Sequence, residues 1–153
     1  MGASSPRLQH LRQALAGLDP TLAPHLHDQE RSVRLGVPAV DGALGGGLPC
    51  GSLHEFAPAG PVHLAAATGF AAALAARAAG ERNEVLWIAT DFAVREGGGP
   101  YGPGLDLFGL AAARLVVLRV PRAVDALWAM EEALQCRALA AVIAELPENA
   151  GPI

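Results

Sequence analysis

Lysine is absent from this chain: all 11 of its basic residues are arginine, scattered from Arg7 to Arg137 without a cluster. With 15 acidic residues the formal net charge is -4. A domain that grips nucleic acid by itself carries a basic stripe or patch, so strong autonomous binding to DNA or RNA is not expected. Cysteine is nearly absent too. Cys50 and Cys136 lie far apart, and a disulfide framework or a zinc site needs more than that. They read as one turn cysteine and one helix cysteine, both reduced. No apolar run is expected to reach membrane-spanning length, since the longest candidates, 64–76 and 138–146, are Ala-rich and bounded by turn signals. The N-terminus shows a helix-like segment with Arg7 and Arg12 in place of an apolar signal core, so a cytoplasmic location is expected. There is no G-x-S-x-G and no Ser/His/Asp order, which removes the common serine-hydrolase arrangement.

What is present is a chain of 153 residues, 52% apolar, enough for one core. Leu8, Leu11, Leu15 and Leu18 recur at helical spacing after Pro6, so an amphipathic helix is expected there. It would pack either on a partner or back on its own core. Residues 19 to 34, with Pro20, Pro24 and the charged run Asp28 to Arg34, read as a linker or a loose turn. His25, His27 and Asp28 fall within it, and their spacing is too weak a pattern to assign a metal.

From Leu64 to Ala79 the sequence is nearly all Ala and Leu and predicts a buried helix ended by Gly80. Val85 to Ala89 is a continuous apolar run, expected as a strand buried on both faces. A long Gly- and Pro-rich loop is expected over Asp91 to Gly104, with a short helix over Leu105 to Leu110. Leu115 to Val120 predicts another strand. Arg122 to Cys136 predicts a helix with Ala123, Leu127, Met130 and Leu134 on one face, and Trp128 reads as core or part-buried packing rather than interface. Leu139 to Ala144 predicts a last strand closed by Glu145. Strands alternating with helices in this way predict a parallel sheet with crossover helices.

The most informative stretch is Gly36 to Phe56. A short amphipathic turn at Val40-Asp41-Ala43-Leu44 precedes Gly45-Gly46-Gly47-Leu48-Pro49, a second turn at Cys50-Gly51, and a strand expected over Ser52 to Phe56. This order resembles the start of the ATPase core in RecA-like proteins, where the strand leads into a phosphate-binding loop. Such a loop needs glycines for a backbone cradle, a Lys for the outer phosphates and a Ser or Thr for magnesium. Here Ala57 to Ala66 contains Pro58 and Pro61, which remove N–H donors. Leu64 and Ala65 stand where Lys and Ser/Thr belong; Thr68 would supply the hydroxyl only if the register slips. His63 and Arg77 are anion-contact candidates without the spacing. Asp91 and Glu145 close two strands near the places where such ATPases hold catalytic and magnesium-binding carboxylates, and read either as relics or as caps and loop anchors. No catalytic, cofactor-binding or metal-binding residue is therefore assigned, no cofactor is expected, and conventional ATP hydrolysis is not expected.

Further residues sharpen the resemblance: Leu86-Trp87-Ile88, Arg95-Glu96-Gly97, Pro100-Tyr101-Gly102-Pro103-Gly104-Leu105, Leu127 to Leu134 and Leu139 to Glu145. Together with the glycine-rich stretch they look like the ImuA family, RecA-like proteins of the bacterial damage-inducible mutagenesis cassette. The resemblance covers roughly residues 34 to 146. It implies an α/β, RecA-like core over 34–153, of the P-loop-NTPase type and C-terminally shortened, after an N-terminal segment over 1–33. It also implies a non-catalytic accessory role in error-prone translesion synthesis under the SOS response. The implied partners are an ImuB-like Y-family polymerase homologue, an error-prone replicative-type polymerase and RecA. Arg95, Tyr101 and Leu105, on the loop at the carboxyl side of the sheet, are the partner-contact candidates; the same loop reads equally as a lid over a vacated nucleotide site. Two other readings stay open, a SulA-like cell-division inhibitor and a weak ATP-binding protein with a non-standard anion site.

Overall fold

The structure, a computed structural model, describes residues 31–80 and 83–147. The chain divides into two compact units, one ending at Glu55 and the other beginning at Phe56. The helix expected over Pro6 to Leu18 and the His25, His27 and Asp28 group lie outside the described residues.

The first unit is a two-stranded ribbon with a short helix in its connection. Strand β1 (Ser32–Val33) pairs antiparallel with β2 (Leu48–Pro49), and helix α1 (Pro38–Ala43) lies between them in sequence. Pro38 opens α1, where its missing N–H costs nothing. Asp41 then holds both ends of the connection. Its buried carboxylate accepts hydrogen bonds from the backbone N–H of Leu35 at 2.7 Å and Gly36 at 3.0 Å, while its carbonyl accepts from Gly46 N–H at 2.7 Å. The glycine run is required by geometry at Gly47, which has φ +131° and sits so close to β1 that a Cβ would fall onto the Val33 carbonyl.

Two expectations are corrected here. Residues 32 and 33, expected in a linker, form β1. Ser52 to Phe56, expected as a strand, has no strand structure. A strand exists only through a ladder partner; the glycine turn delivers the chain into β2 instead, and Leu53 is left 82% exposed.

The second unit is a three-stranded parallel sheet with helices on both faces. A 3₁₀ turn (Pro61–His63) runs into α2 (Leu64–Ala79), which Gly80 ends at φ +56°. Then follow β3 (Glu84–Thr90), α3 (Asp91–Gly97), α4 (Gly102–Asp106), a 3₁₀ turn (Ala112–Arg114), β4 (Leu115–Val120), α5 (Ala123–Ala133) and β5 (Leu139–Glu145). The strand order is β4-β3-β5, with Val85 opposite Leu115 on one side and Ala141 on the other.

Strand alternation sorts the core. Val85, Trp87 and Ala89 pack on α2 and on Leu105 of α4, whereas Leu86 and Ile88 pack on α5. This double burial is why β3 reads as an unbroken apolar run. Burying Val85, Trp87 and Ile88 contributes about 1.5–3 kcal/mol each. The facing helix residues are small: Ala72, Ala75, Ala76 and Ala79 from α2, and Ala126 and Ala129 from α5. Small side chains let both helices lie close to the sheet. The Arg114 guanidinium donates to the carbonyl of Gly80 at 2.5 Å and to that of Asn83, tying the end of α2 to the start of β3.

The expected loop over Asp91 to Gly104 is instead α3, a short connection and the start of α4. The Thr90 hydroxyl caps α3 by accepting from Ala93 N–H at 3.1 Å. The helix expected over 105–110 begins earlier, at Gly102, because Pro103 suits a first turn and Gly109, at φ +83°, ends the segment. The inner face of α5 is Ala126, Ala129, Met130 and Ala133. Of the expected face Met130 belongs to it, while Leu134 is exposed, and Cys136 lies past the end of the helix. Trp128, expected as packing, points away from that face and is 65% exposed.

Strand β4 forms where the sequence predicts another apolar strand. As an edge it leaves Val116, Val117 and Leu118 exposed, because α5 and α2 cover mainly β3 and β5. Pro61–Ala79 is one continuous helical stretch long and apolar enough, by length and composition, to cross a membrane, contrary to the expectation that no run reaches that length. Its Ala72, Ala75, Ala76 and Ala79 face packs in the sheet core.

Candidate functional site

The order β4-β3-β5 sets the carboxyl end of β3 beside that of β5. The chain leaves β3 through α3 and α4, with Leu105 on the α2 side of the sheet, and returns from β4 to β5 through α5 on the opposite side. In open α/β sheets, the crevice outside the carboxyl ends of two such strands is the usual ligand position. Here those ends carry Thr90-Asp91 and Glu145.

Glu145 lies on the same face of β5 as Ile143 and Ala141, toward α2. Its carboxylate is half-buried and taken up by two neighbours. The Thr68 hydroxyl donates to Oε1 at 3.3 Å and the Trp87 indole N–H donates to Oε2 at 3.3 Å. Each partner has a physical origin in its element. Thr68 is the only hydroxyl on α2 and lies just past the helix's first turn. Trp87 is the only side chain of β3 with an N–H donor and, two pairs below the strand end, reaches up along the sheet. Trp87 is 1% exposed, and a buried indole N–H needs an acceptor. Glu145 supplies it.

This arrangement has a chemical consequence. An indole N–H can only donate, so Trp87 takes one of the acceptor sites of Oε2 and leaves that oxygen a further lone pair. The Thr68 hydroxyl takes one acceptor site of Oε1. The carboxylate is a hydrogen-bond hub between α2, β3 and β5, and among the described residues no group of three or more His, Cys, Asp or Glu could hold a metal ion.

Asp91, at the end of β3, is engaged elsewhere. It opens α3 and pairs with Arg119 of β4, Nε to Oδ1 at 2.5 Å, with both side chains partly exposed. It thus ties the ends of β3 and β4, as the loop-anchor reading expects. The anion-contact candidates do not converge. His63 precedes α2 and Arg77 lies in its last turn, a separation of about 21 Å along the axis at 1.5 Å per residue. Before α2, residues 57–60 are irregular and Pro61–His63 form a 3₁₀ turn.

The three partner-contact candidates separate. Arg95 is exposed in the last turn of α3, and Tyr101 is 72% exposed just before α4. Leu105 is 6% exposed and packs against Ala72, Trp87 and Leu110 in the core cluster. Leu105 is therefore corrected from a contact residue to a core residue, because the helix starts at Gly102 and turns that side chain inward. The Thr68–Glu145–Trp87 group was legible only in part. Glu145 stands out at the end of an apolar run, and Thr68 as a lone hydroxyl, but 77 residues separate them and nothing local joins them. Comparison with known protein families, with curated proteins and with solved structures finds no match to this chain.

Proposed function

We propose that this chain is a RecA-like accessory protein of the ImuA type, acting in error-prone translesion DNA synthesis through protein contacts and without nucleotide chemistry. The observation that carries the non-catalytic part is the Glu145 carboxylate, engaged by two donors of the same chain. The carboxylate that such ATPases would offer to magnesium accepts instead from Thr68 and Trp87 of the same chain. The absence of lysine and the two prolines at 58 and 61 support the same reading. The parallel three-stranded sheet, with carboxylates closing β3 and β5, is compatible with a RecA-like core that keeps its shape after losing its site.

The partner class rests on the sequence resemblance. It consists of an ImuB-like Y-family polymerase homologue, an error-prone replicative-type polymerase and RecA, in the cytoplasm. Arg95 and Tyr101 are the contact candidates that remain on the surface. Capture of a purified ImuB-like protein by the full chain, with and without ATP, tests this reading. Nucleotide-independent capture that weakens in Tyr101→Ala is the expected result. Capture that requires ATP, or none by the folded chain, contradicts it.

A further inference from the structure

Helix α5 carries an outward face that the core does not use. Val124 is 48% exposed and Trp128 65% exposed, one turn apart and on the same side of the helix. Glu131 and Glu132 follow one turn later, at i+3 and i+4 from Trp128, and both are exposed. Among the described residues neither carboxylate has an ion-pair partner, whereas the arginine at the start of the helix, Arg122, is matched by Asp125 at 2.7 Å. Among the described residues the face is therefore a large aromatic ring and a Val beside two carboxylates without an ion-pair partner.

We propose that the Val124–Trp128–Glu131–Glu132 face of α5 docks a basic segment of a partner protein, with an Arg or Lys stacked on the Trp128 ring and paired with the two carboxylates. Charge decides the occupant. Tryptophan is the best cation–π acceptor among side chains, and adjacent carboxylates strengthen the attraction for a cation. Nucleic acid would bring phosphates against Glu131 and Glu132. A second copy of this chain would bring a net charge of -4 to the same place. Tryptophan is also enriched among the residues that dominate interface energies. This inference goes beyond the proposed function and does not depend on it, since it rests on α5 alone.

The test uses the full chain and a fluorescein-labelled peptide of three Arg-Leu-Ala-Arg repeats, with the same peptide carrying Glu for Arg as control. The two tryptophans report separately, because Trp87 is buried and Trp128 is open to iodide. The basic peptide is expected to bind saturably, to shift emission to the blue and to shield Trp128 from iodide quenching. Trp128→Ala should weaken anisotropy-detected binding about tenfold. Glu131→Gln with Glu132→Gln should weaken it about fivefold and flatten its salt dependence. All three positions are exposed, so the variants should keep the circular dichroism of the parent. No binding up to millimolar peptide, equal binding of the acidic peptide, or affinity unchanged in Trp128→Ala would overturn the proposal. A Trp128-dependent dimer in sedimentation velocity would overturn it too, by placing a second copy on the face.

Discussion

Single residues in this molecule act by satisfying backbone or side-chain groups that would otherwise be orphaned. Asp41 is the clearest case, buried and accepting two N–H groups at the entry to α1. Asp41→Ala leaves both donors without an acceptor, at a cost of about 2–3 kcal/mol. The loss should appear as faster amide exchange at Leu35 and Gly36, and slow exchange retained there would contradict the assignment. Glu145 is the second case, and its two partners are coupled through it. Trp87→Phe and Thr68→Val should each cost about 1 kcal/mol, and the double variant should differ from the sum, since the second substitution strips the last donor from a half-buried carboxylate. Strict additivity in denaturant unfolding would show that the two hydrogen bonds are not shared. The sequence displayed each of these residues but not their meeting. A carboxylate after an apolar strand is visible locally, whereas its partners are chosen by which helix the sheet lies against.

At the scale of elements, the local signals that succeeded were those with a local cause. Gly80 ends α2, and the apolar run over Val85 to Ala89 becomes the doubly covered strand β3. Those that failed depended on neighbours. Ser52 to Phe56 has strand-like composition but no ladder partner, and β4 has the apolar character of a core strand yet sits at an edge. Helix α3 was hidden because its residues, Asp91 to Gly97, adjoin a Gly-rich run that reads as loop; its cap, Thr90, belongs to the preceding strand.

The close approach of α5 to the sheet depends on Ala126 and Ala129. Ala126→Leu should therefore cost about 1–3 kcal/mol by overpacking, whereas Val117→Ala on the exposed edge should cost under about 1 kcal/mol. The reverse ranking in thermal unfolding would contradict the layer assignment. The first turn of α5 also carries a pH signature. The side-chain hydrogen bonds from Arg122, and secondarily its charge, hold the Asp125 carboxyl below the usual carboxylate range. A depressed folded-state value means that the pair's contribution is present above the ordinary aspartate range and is lost as pH falls through the folded value. Asp125→Asn should abolish that acid-side loss at the start of α5 in pH-dependent amide exchange. An unchanged profile in the variant would show that another group causes it.

For the whole molecule, the unit from Phe56 onward is a three-stranded parallel sheet with helices on both faces, and the carboxylates that follow β3 and close β5 are engaged within the chain. Glu145 is held by Thr68 and Trp87, and Asp91 is held by Arg119. The chain has no lysine, the residue that a phosphate-binding loop directs at the outer phosphates. Under the proposed function the fold is a scaffold for protein contacts, for which exposed Arg95 and Tyr101 and the Trp128 face are the candidates.

The most direct measurement is an equilibrium titration of the full chain with a fluorescent ATP analogue, with and without magnesium, repeated on Glu145→Gln. No saturable binding up to millimolar analogue in either protein, with or without magnesium, is the predicted result. Saturable, magnesium-dependent binding that Glu145→Gln removes would contradict it, because the carboxylate would then be serving a metal and not its two neighbours.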